Sequence, residues 1–276
     1  MTEIRTQPEN TLRVESFADL MEALFDSSWN PTLERFRSPY AFRGLAQDSY
    51  SLLTTLSRLG GDFATMEAHV LRSFRKYAPR SSVEVDSVFH WLSLGQQHGL
   101  PTRLLDWTFS PFVALHFATA SPDCFTYDSV IWAIHYAKVN ERLPEPLVRE
   151  LEREGAEILT LEMLAHAATD LNALRELSKE PFLLFFEPPA LTERFINQFA
   201  LFSMMSDARG DTQSWLDAHP EICRKIVIPA HLKWEVRDKL DQANVTERLL
   251  SPGLDGLSAW LRRHYAPRLR TPPRGE

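Results

Sequence analysis

Residues 95–118 have the sequence GQQHGLPTRLLDWTFSPFVALHFA, in which a polar stretch is followed at once by an apolar one. Ser110 is a good N-cap and Pro111 suits the first helical position, so a helix is predicted to begin there. The residues after Pro111 are apolar on nearly every side, which predicts that this helix is buried. Loops before buried helices are held firmly, and functional groups concentrate on such loops. We therefore expect residues 95–108 to carry function.

This loop contains several groups that are capable of chemistry. His98 is a candidate general base, because imidazole titrates near neutral pH. Asp106 can accept hydrogen bonds from the first N–H groups of the following helix, or it can pair with Arg103 or Arg43. The polar and aromatic candidates in the loop are Gln96, Gln97, His98, Thr102, Arg103, Asp106, Trp107 and Thr108.

A second feature is the arginine within YAFRG, residues 40–44, which is predicted to be a short strand that ends at Gly44. A buried guanidinium has to be paired, because isolated charge is costly away from water. Two alternatives follow. In the first, one buried ion network that fixes the fold is formed by Arg43, Arg103 and Asp106. In the second, one of the arginines is left unpaired by the protein and binds an anionic ligand. Arginine suits the second role because its planar fork binds phosphate bidentately.

The rest of the chain alternates between helical and strand patterns. The predicted helices are 17–25, 62–78, 86–95, 110–120, 230–243 and 254–265, and the predicted strands are 40–44, 128–136, 182–189, 194–205 and 224–229. This alternation predicts an α+β fold, a single domain with a mixed, mostly antiparallel sheet flanked by helices. We expect an N-terminal helical segment at 1–37, a main domain at 38–265 with a helical insertion at about 141–180, and a flexible tail at 266–276.

Composition narrows the classes of function. The 276 residues carry a net charge of −7, and this argues against broad, non-specific nucleic-acid binding, which needs clustered cations. A short single strand could still be held by a local run of cations, namely Arg72, Arg75, Lys76 and Arg80. The chain contains no P-loop, GxGxxG, GxSxG or HExxH motif, and no metal site is expected.

The cysteines and the hydropathy indicate the cytoplasm. Cys124 and Cys223 are far apart and no CxxC is present, so two buried, reduced thiols are expected. The N-terminus lacks the apolar run of a secretory signal, and no stretch approaches the roughly 20 apolar residues of a membrane span. We therefore expect a soluble, cytoplasmic protein without a membrane partner.

The Phe-Arg-Gly motif at 42–44 and the string QHGLPTRLLDWTFSPFVALHFA resemble the FRG domain family, which takes its name from this motif. The resemblance continues at 185–202, 226–240 and 244–261. One departure lies in the first of these strings, where Ala200 stands at a position that is usually glycine in the family. A Cβ there narrows the local choices of backbone conformation.

The layout of the FRG family resembles the ADP-ribosyltransferase fold, and this resemblance implies NAD as a substrate. It implies that Arg43 holds NAD and that Thr102 is the Ser/Thr residue that precedes the helix. Gln198, or as a second choice Glu187, takes the place of the late-strand Glu or Gln. The implied catalytic set is Arg43, Thr102, Gln198, His98 and Asp106. The implied cofactor-binding set is Tyr40, Arg43, Gly44, Gln97, Thr102, Arg103, Trp107 and Phe202.

FRG domains also occur among bacterial toxin and anti-phage proteins. By analogy, the resemblance implies a toxin or defence effector that modifies RNA or a protein, with an antitoxin or regulatory protein as a candidate partner. The alternative is a non-enzymatic sensor, which binds a nucleotide or a phage component and signals through the 141–180 insertion. Release of nicotinamide from NAD would distinguish the two.

Overall fold

The structure is a computed structural model, and it describes residues 10–189 and 192–267. Most of the predicted flexible tail, residues 268–276, and the first nine residues of the predicted N-terminal segment lie outside the described residues. Within the described ranges, no helix combines the length and the apolar character needed to cross a membrane.

The described residues form ten strands and thirteen helices, besides short 3-10 turns. The strands are β1 Thr11–Arg13, β2 Trp29–Asn30, β3 Arg35–Phe36, β4 Tyr40–Leu45, β5 Leu104–Thr108, β6 Ser129–His135, β7 Leu159–Thr160, β8 Leu183–Glu187, β9 Ala200–Met205 and β10 Cys223–Ile228. The helices are α1 Phe17–Phe25, α2 Phe63–Tyr77, α3 Val88–Gln97, α4 Pro111–Ala118, α5 Tyr136–Asn140, α6 Glu145–Glu154, α7 Leu161–Ala167, α8 Leu171–Glu176, α9 Glu193–Gln198, α10 Thr212–Asp217, α11 Lys233–Gln242, α12 Glu247–Leu250 and α13 Leu254–His264.

Eight strands form one sheet in the order β1-β10-β6-β4-β5-β9-β8-β7. The outermost pairs, β1 with β10 and β7 with β8, are parallel, and every other neighbouring pair is antiparallel. Strands β2 and β3 form a separate hairpin. The predicted mixed, mostly antiparallel sheet flanked by helices is therefore confirmed.

Two helix starts follow from local signals in the sequence. The Ser110 hydroxyl accepts a hydrogen bond from the Val113 N–H, and Pro111 occupies the first turn of α4. The Ser16 and Asp19 side chains form a capping box at the start of α1. Both helices therefore begin where their sequences predict.

The two faces of the sheet are covered differently. One face carries a single apolar cluster, which includes Trp107, Trp132 and Phe185. The other face carries two separate clusters. One lies under α1, α4 and α11, and the other lies under α2, α3, α6 and α7. The helical layer on this second face is therefore divided above the middle of the sheet, between β4 and β5.

Two sequence predictions about strands are wrong. The predicted strand 194–205 is helix α9 followed by β9, because Phe199 adopts a left-handed conformation with φ of 46° that ends the helix. Gln198 therefore ends a helix and does not lie on a strand. The predicted loop 95–108 also contains a strand, β5, which lies in the middle of the sheet. The polar residues around it in the sequence gave no indication of a strand.

The outer segments also contribute strands. The structure places α1 in the predicted N-terminal helical segment, together with β1, which joins the main sheet beside β10. The predicted insertion at 141–180 contains α6, α7 and α8, and also β7 at the other edge of the sheet. Cys223 is buried as predicted, whereas Cys124 is only half-buried, and both are free thiols.

Candidate functional site

The sheet opens between β4 and β5. Six residue pairs join β4 to β6 and five join β5 to β9, but only the pair Phe42 and Thr108 joins β4 to β5. Beyond that pair the two strands diverge, and the helical layer above them is divided at the same place. A cavity of about 380 Å³ lies in the opening, which is within the usual size range for a small-molecule site.

The cavity is lined by residues from β4, β5, β9, α3, α4 and α9 and from the turn after α3. They are Phe42, Arg43, Gly44, Gln96, Gln97, Gly99, Asp106, Trp107, Thr108, Ala114, Phe117, Arg194, Phe195, Gln198 and Ala200. The lining combines two arginines, one carboxylate, three glutamine amides and several aromatic rings. Such a mixture suits an anionic ligand that also carries a planar ring.

Gly44 explains how α4 comes so close to the sheet. A Cβ at this position would lie 1.9 Å from the carbonyl oxygen of Ala114 and 2.7 Å from the amide nitrogen of Ala118. Any side chain larger than hydrogen would therefore push α4 away from β4. Phe42, on the same face of the strand, is fully buried against this helix. Phe42 and Gly44 thus dock α4 and hold the arginine between them at the wall of the cavity.

Arg43 is only partly satisfied by the protein. Its Nη1 donates to the backbone carbonyl of Asp106 and lies 4.0 Å from that residue's carboxylate oxygen Oδ2. Its Nε is buried and has no hydrogen-bond partner among the described residues. Burial lowers the pKa of Arg43 and the Asp106 carboxylate opposes this shift, but an arginine remains charged at neutral pH. The Arg43 guanidinium is therefore a fixed cation whose Nε can still donate a hydrogen bond to a ligand.

Asp106 presents its carboxylate to the cavity. The side chain is 60% exposed and accepts a hydrogen bond from Gln96 Nε2 at 3.0 Å. The expectation that Asp106 caps the following helix is wrong, because Ser110 accepts from the Val113 N–H instead. Asp106 lies within β5, and the strand turns its carboxylate toward Gln96 and Arg43.

Arg103 belongs to a different part of the molecule. Its Nε donates to both carboxylate oxygens of Glu67 on α2, at 2.8 and 3.0 Å, and its Nη1 donates to the Ser206 carbonyl at 2.8 Å. The hypothesis of one network joining Arg43, Arg103 and Asp106 is therefore wrong. Each arginine has its own carboxylate, and Arg103 does not line the cavity.

The glutamines of the lining differ in how they are held. Both amide atoms of Gln97 are buried without a hydrogen-bond partner among the described residues. The Gln198 Nε2, in contrast, donates to the backbone carbonyl of Leu250 at 2.6 Å. The backbone carbonyl of Gln198 accepts from Thr108 Oγ1 at 2.6 Å. Gln198 thus anchors α9 to β5 and α12, whereas Gln97 has an amide available for a ligand.

Several residues proposed from the sequence lie away from the cavity lining. Thr102 is fully buried, and its Oγ1 donates to Gln96 Oε1, so it orients a lining residue. His98 is exposed at the end of α3, and Tyr40 lies under the guanidinium of Arg224. Phe202 packs in the core between Phe186 and Phe195.

Of the remaining candidates, Trp107 lines the cavity, and its Nε1 donates to Ser203 Oγ at 2.7 Å. Glu187, at the end of β8, is exposed and does not line the cavity, and partial burial of its carboxyl raises its pKa. The structure therefore brings together six residues of the implied catalytic and cofactor-binding sets, which are Arg43, Gly44, Gln97, Asp106, Trp107 and Gln198. The loop candidates Gln96 and Thr108 also line the cavity.

Among the lining residues that sequence reasoning did not propose for the site are Phe117, Arg194 and Phe195. Phe117 belongs to a helix that was predicted to be buried all round, yet its side chain is 39% exposed. Arg194 and Gln198 lie four residues apart, which puts them on one face of α9. A helical interpretation of residues 193–198 would have placed them together, but the apolar run that follows favoured a strand.

Comparison with known protein families gives one match. The family model described as FRG domain matches residues 38–126. This range contains β4, α2, α3, β5 and α4, and hence the cavity lining from Phe42 to Phe117, while α9 lies beyond it. Searches of curated proteins and of solved structures gave no significant match.

Proposed function

We propose that this chain, which carries an FRG domain at residues 38–126, binds NAD in the cavity between β4 and β5 and transfers ADP-ribose to a macromolecule. The observation that carries the proposal is a set of buried polar atoms that lack hydrogen-bond partners. Arg43 Nε and both amide atoms of Gln97 are buried beside the cavity without partners among the described residues. A buried polar group left unpaired costs about 1–3 kcal/mol, so a ligand that satisfies these groups gains that energy on binding.

In this proposal the pyrophosphate of NAD binds the cations of the cavity. Arg43 offers its Nε from the wall, and Arg194 adds a second positive charge at the rim. The Gln97 amide has one donor and one acceptor group to offer, which suits the carboxamide of nicotinamide or an edge of adenine. Phe117 and Phe195 supply aromatic faces for one of the rings.

Asp106 is the carboxylate that we assign to the reaction. The bond between C1′ of the ribose and the nicotinamide nitrogen breaks, and both electrons leave with nicotinamide. Asp106 stabilises the positive charge that develops on the ribose, as preorganised charges do at reacting centres. The acceptor then bonds to C1′ and releases its proton to Asp106 or to water. Gln198 does not take this role, because its Nε2 is already bonded to the Leu250 carbonyl.

The test measures binding and transfer separately. Titration calorimetry with NAD should show binding by the native chain and an affinity at least about tenfold lower for Arg43→Gln, since a hydrogen bond to a charged group is worth about 1.5–3 kcal/mol. Asp106→Asn should bind NAD but transfer labelled ADP-ribose to lysate or RNA about 100-fold more slowly. Arg149→Gln, which removes an exposed arginine of α6, is the matched control. No binding and no labelled product from the native chain would refute the proposal.

One observation favours a sensor as the second candidate. Strand β7, in the 141–180 segment, pairs with β8 at Leu159 and Phe186. The Phe186 ring packs against Phe202 at 5.8 Å, and Phe202 packs against the cavity residue Phe195 at 5.7 Å. A row of aromatic rings thus connects the segment to the cavity. NAD binding without nicotinamide release would favour the sensor.

A further inference from the structure

The segment 49–83, which includes α2, differs in charge from the acidic chain around it. It contains five cations and only two acidic residues, Asp62 and Glu67, and no acidic residue occurs between 68 and 83. Both acids are neutralised by arginines from elsewhere, Asp62 by Arg209 at 3.1 Å and the buried Glu67 by Arg103. The segment therefore carries a net positive charge, part of which the exposed Asp86 offsets by pairing with Arg75.

Four of these cations are exposed, and the described residues provide no ion-pair partner for them. They are Arg58, Arg72, Lys76 and Arg80, while the fifth, Arg75, pairs with Asp86 at 2.8 Å. Tyr77 lies among them with 80% of its surface exposed, and the Lys76 ammonium is 5.3 Å from the centre of its ring. We call these four cations and Tyr77 the basic surface.

The basic surface starts beside the cavity and runs away from it. Arg58 is close enough to Arg43 for its positive charge to lower the pKa of that residue. The turn that carries Arg58 is attached to the cavity loop, since the Leu56 N–H donates to the Thr102 carbonyl at 3.0 Å. From this turn, α2 extends about 22 Å over its fifteen residues to Tyr77. Phe74 and Arg75, near the far end of α2, contact Trp91, which lies nearer the start of α3 than its cavity end.

We propose that the basic surface binds a single-stranded nucleic acid whose end enters the cavity. Arg72 and Lys76 lie one turn apart near the end of α2, and Arg58 and Arg80 lie in the turns before and after this helix. Cations spread along a surface in this way fit the phosphates of an extended strand, and an exposed aromatic ring among them offers a base a face for stacking. An acidic protein segment would use the cations but would have no such use for an exposed tyrosine. If the proposed transfer of ADP-ribose holds, this strand is the acceptor. The inference rests on the proposed function for that last step alone.

Binding can be measured without NAD, by fluorescence anisotropy of a labelled, unstructured 15-nucleotide RNA with the full chain at several salt concentrations. We expect the double variant Arg72→Ala/Lys76→Ala to bind more weakly and to lower the slope of log affinity against log salt by about 1.4, at about 0.7 for each phosphate contact. Tyr77→Ala should weaken binding about tenfold without a change in slope, and Tyr77→Phe should bind as the native chain does. Arg149→Ala/Arg262→Ala removes the same charge from other exposed helices and should have little effect.

Two results would overturn this proposal. One is no binding of the RNA at low salt by a native chain that is shown to be folded. The other is equal binding of heparin and RNA together with no effect of Tyr77→Ala, which would indicate an acidic polymer or protein segment as the partner. Because the RNA-binding assay contains no NAD, its outcome is independent of the calorimetric test of NAD binding. RNA binding by a chain that does not bind NAD would support the basic surface and refute only the proposed transfer.

Discussion

Arg103 and Arg43 are two arginines of neighbouring segments, but the protein satisfies them to very different extents. Arg103 binds both oxygens of the buried Glu67 and the Ser206 carbonyl, and its side chain is 8% exposed. Arg43 has a backbone carbonyl as its near partner, its Nε is unpaired within the described part of the chain, and the carboxylate of Asp106 is 4.0 Å away. A fully paired guanidinium can only hold the fold together. A partly paired one can also bind an anion.

The largest effect is expected at the paired arginine. Glu67→Gln leaves the Arg103 charge buried without a carboxylate, and breaking one partner of a buried pair costs about 3–5 kcal/mol. Urea denaturation followed by circular dichroism should show this loss in the free energy of unfolding. Glu145→Gln, at an exposed pair of α6, is the control and should change it by less than about 1 kcal/mol. A loss at Glu67 as small as that of the control would remove the contrast between the two arginines.

A third arginine, Arg237, is also paired within the protein, and its pairing can be tested through the pH dependence of the unfolding free energy. Arg237 is fully buried, and its Nη1 donates to His116 Nδ1 at 3.0 Å, so the imidazole accepts this bond in its neutral form. Burial and the Arg237 charge lower the pKa of His116 to about 4. Between pH 6.5 and 4 the unfolded chain binds the proton that the folded chain excludes, so this contribution to stability is lost as the pH falls. Hydrogen bonds from Arg263 lower the pKa of Glu247, in the same cluster, to about 2, so its contribution to stability is complete above pH 4.5 and is lost only below that pH.

We therefore expect the native chain to lose about 2–3 kcal/mol from His116 between pH 7 and pH 4.5. His116→Asn keeps an oxygen that can accept from Arg237 and removes the titrating group. The variant should show a shallower fall in unfolding free energy than the native chain over this range, measured by urea denaturation at fixed ionic strength. Parallel curves would mean that folding does not lower the pKa of His116, and that its neutral ring is not required to accept the bond from Arg237.

The glycine beside Arg43 gives a somewhat smaller effect. Gly44→Ala puts a Cβ against the backbone of α4, and forcing extra volume into a packed core costs about 1–3 kcal/mol. Gly95→Ala is the matched control, because the atom that its Cβ meets at 2.7 Å is the flexible Cδ2 of Leu100. Thermal denaturation should therefore show a clear loss for Gly44→Ala and a smaller change for Gly95→Ala. Equal melting temperatures for the two variants would show that α4 can move away from β4.

Much of the fold could be predicted because its signals are local. Ser110 and Pro111 mark the start of α4, and the apolar run at 128–136 corresponds to the central strand β6. Strand β9 was misplaced, because the apolar run at 194–205 does not reveal that Phe199 adopts a left-handed conformation and ends a helix. Such a conformation is rare for a bulky residue and is set by tertiary contacts rather than by local preference.

The candidate site could be predicted only in part. The sequence indicates that Arg43 and the polar residues of the loop at 95–108 are functional candidates, and six residues of the implied catalytic and cofactor-binding sets do line one cavity. The partner of Arg103 could not be deduced, because Glu67 lies 36 positions away on a helix whose exposed face is also charged. Which of several arginines meets which carboxylate depends on how the strands and helices are arranged in space. In that arrangement, Arg43 is the arginine whose Nε has no hydrogen-bond partner among the described residues.

The smallest effect on stability is expected at Asp106, and it provides the sharpest form of the comparison. Asp106→Asn removes the same charge as Glu67→Gln, but its side chain is 60% exposed and its distance to Arg43 is 4.0 Å. An exposed pair contributes about 0.2–1 kcal/mol, and asparagine can still accept the hydrogen bond from Gln96, so we expect a loss below about 1 kcal/mol. Urea denaturation of Asp106→Asn, Arg43→Gln and the double variant measures the coupling energy, which should be below about 0.5 kcal/mol. A coupling above about 2 kcal/mol would make the pair structural like Arg103 and Glu67, and Arg43 would then be unavailable to an anion. A small coupling means that water or a ligand can replace the carboxylate beside Arg43 at little cost to the fold, as a binding site requires.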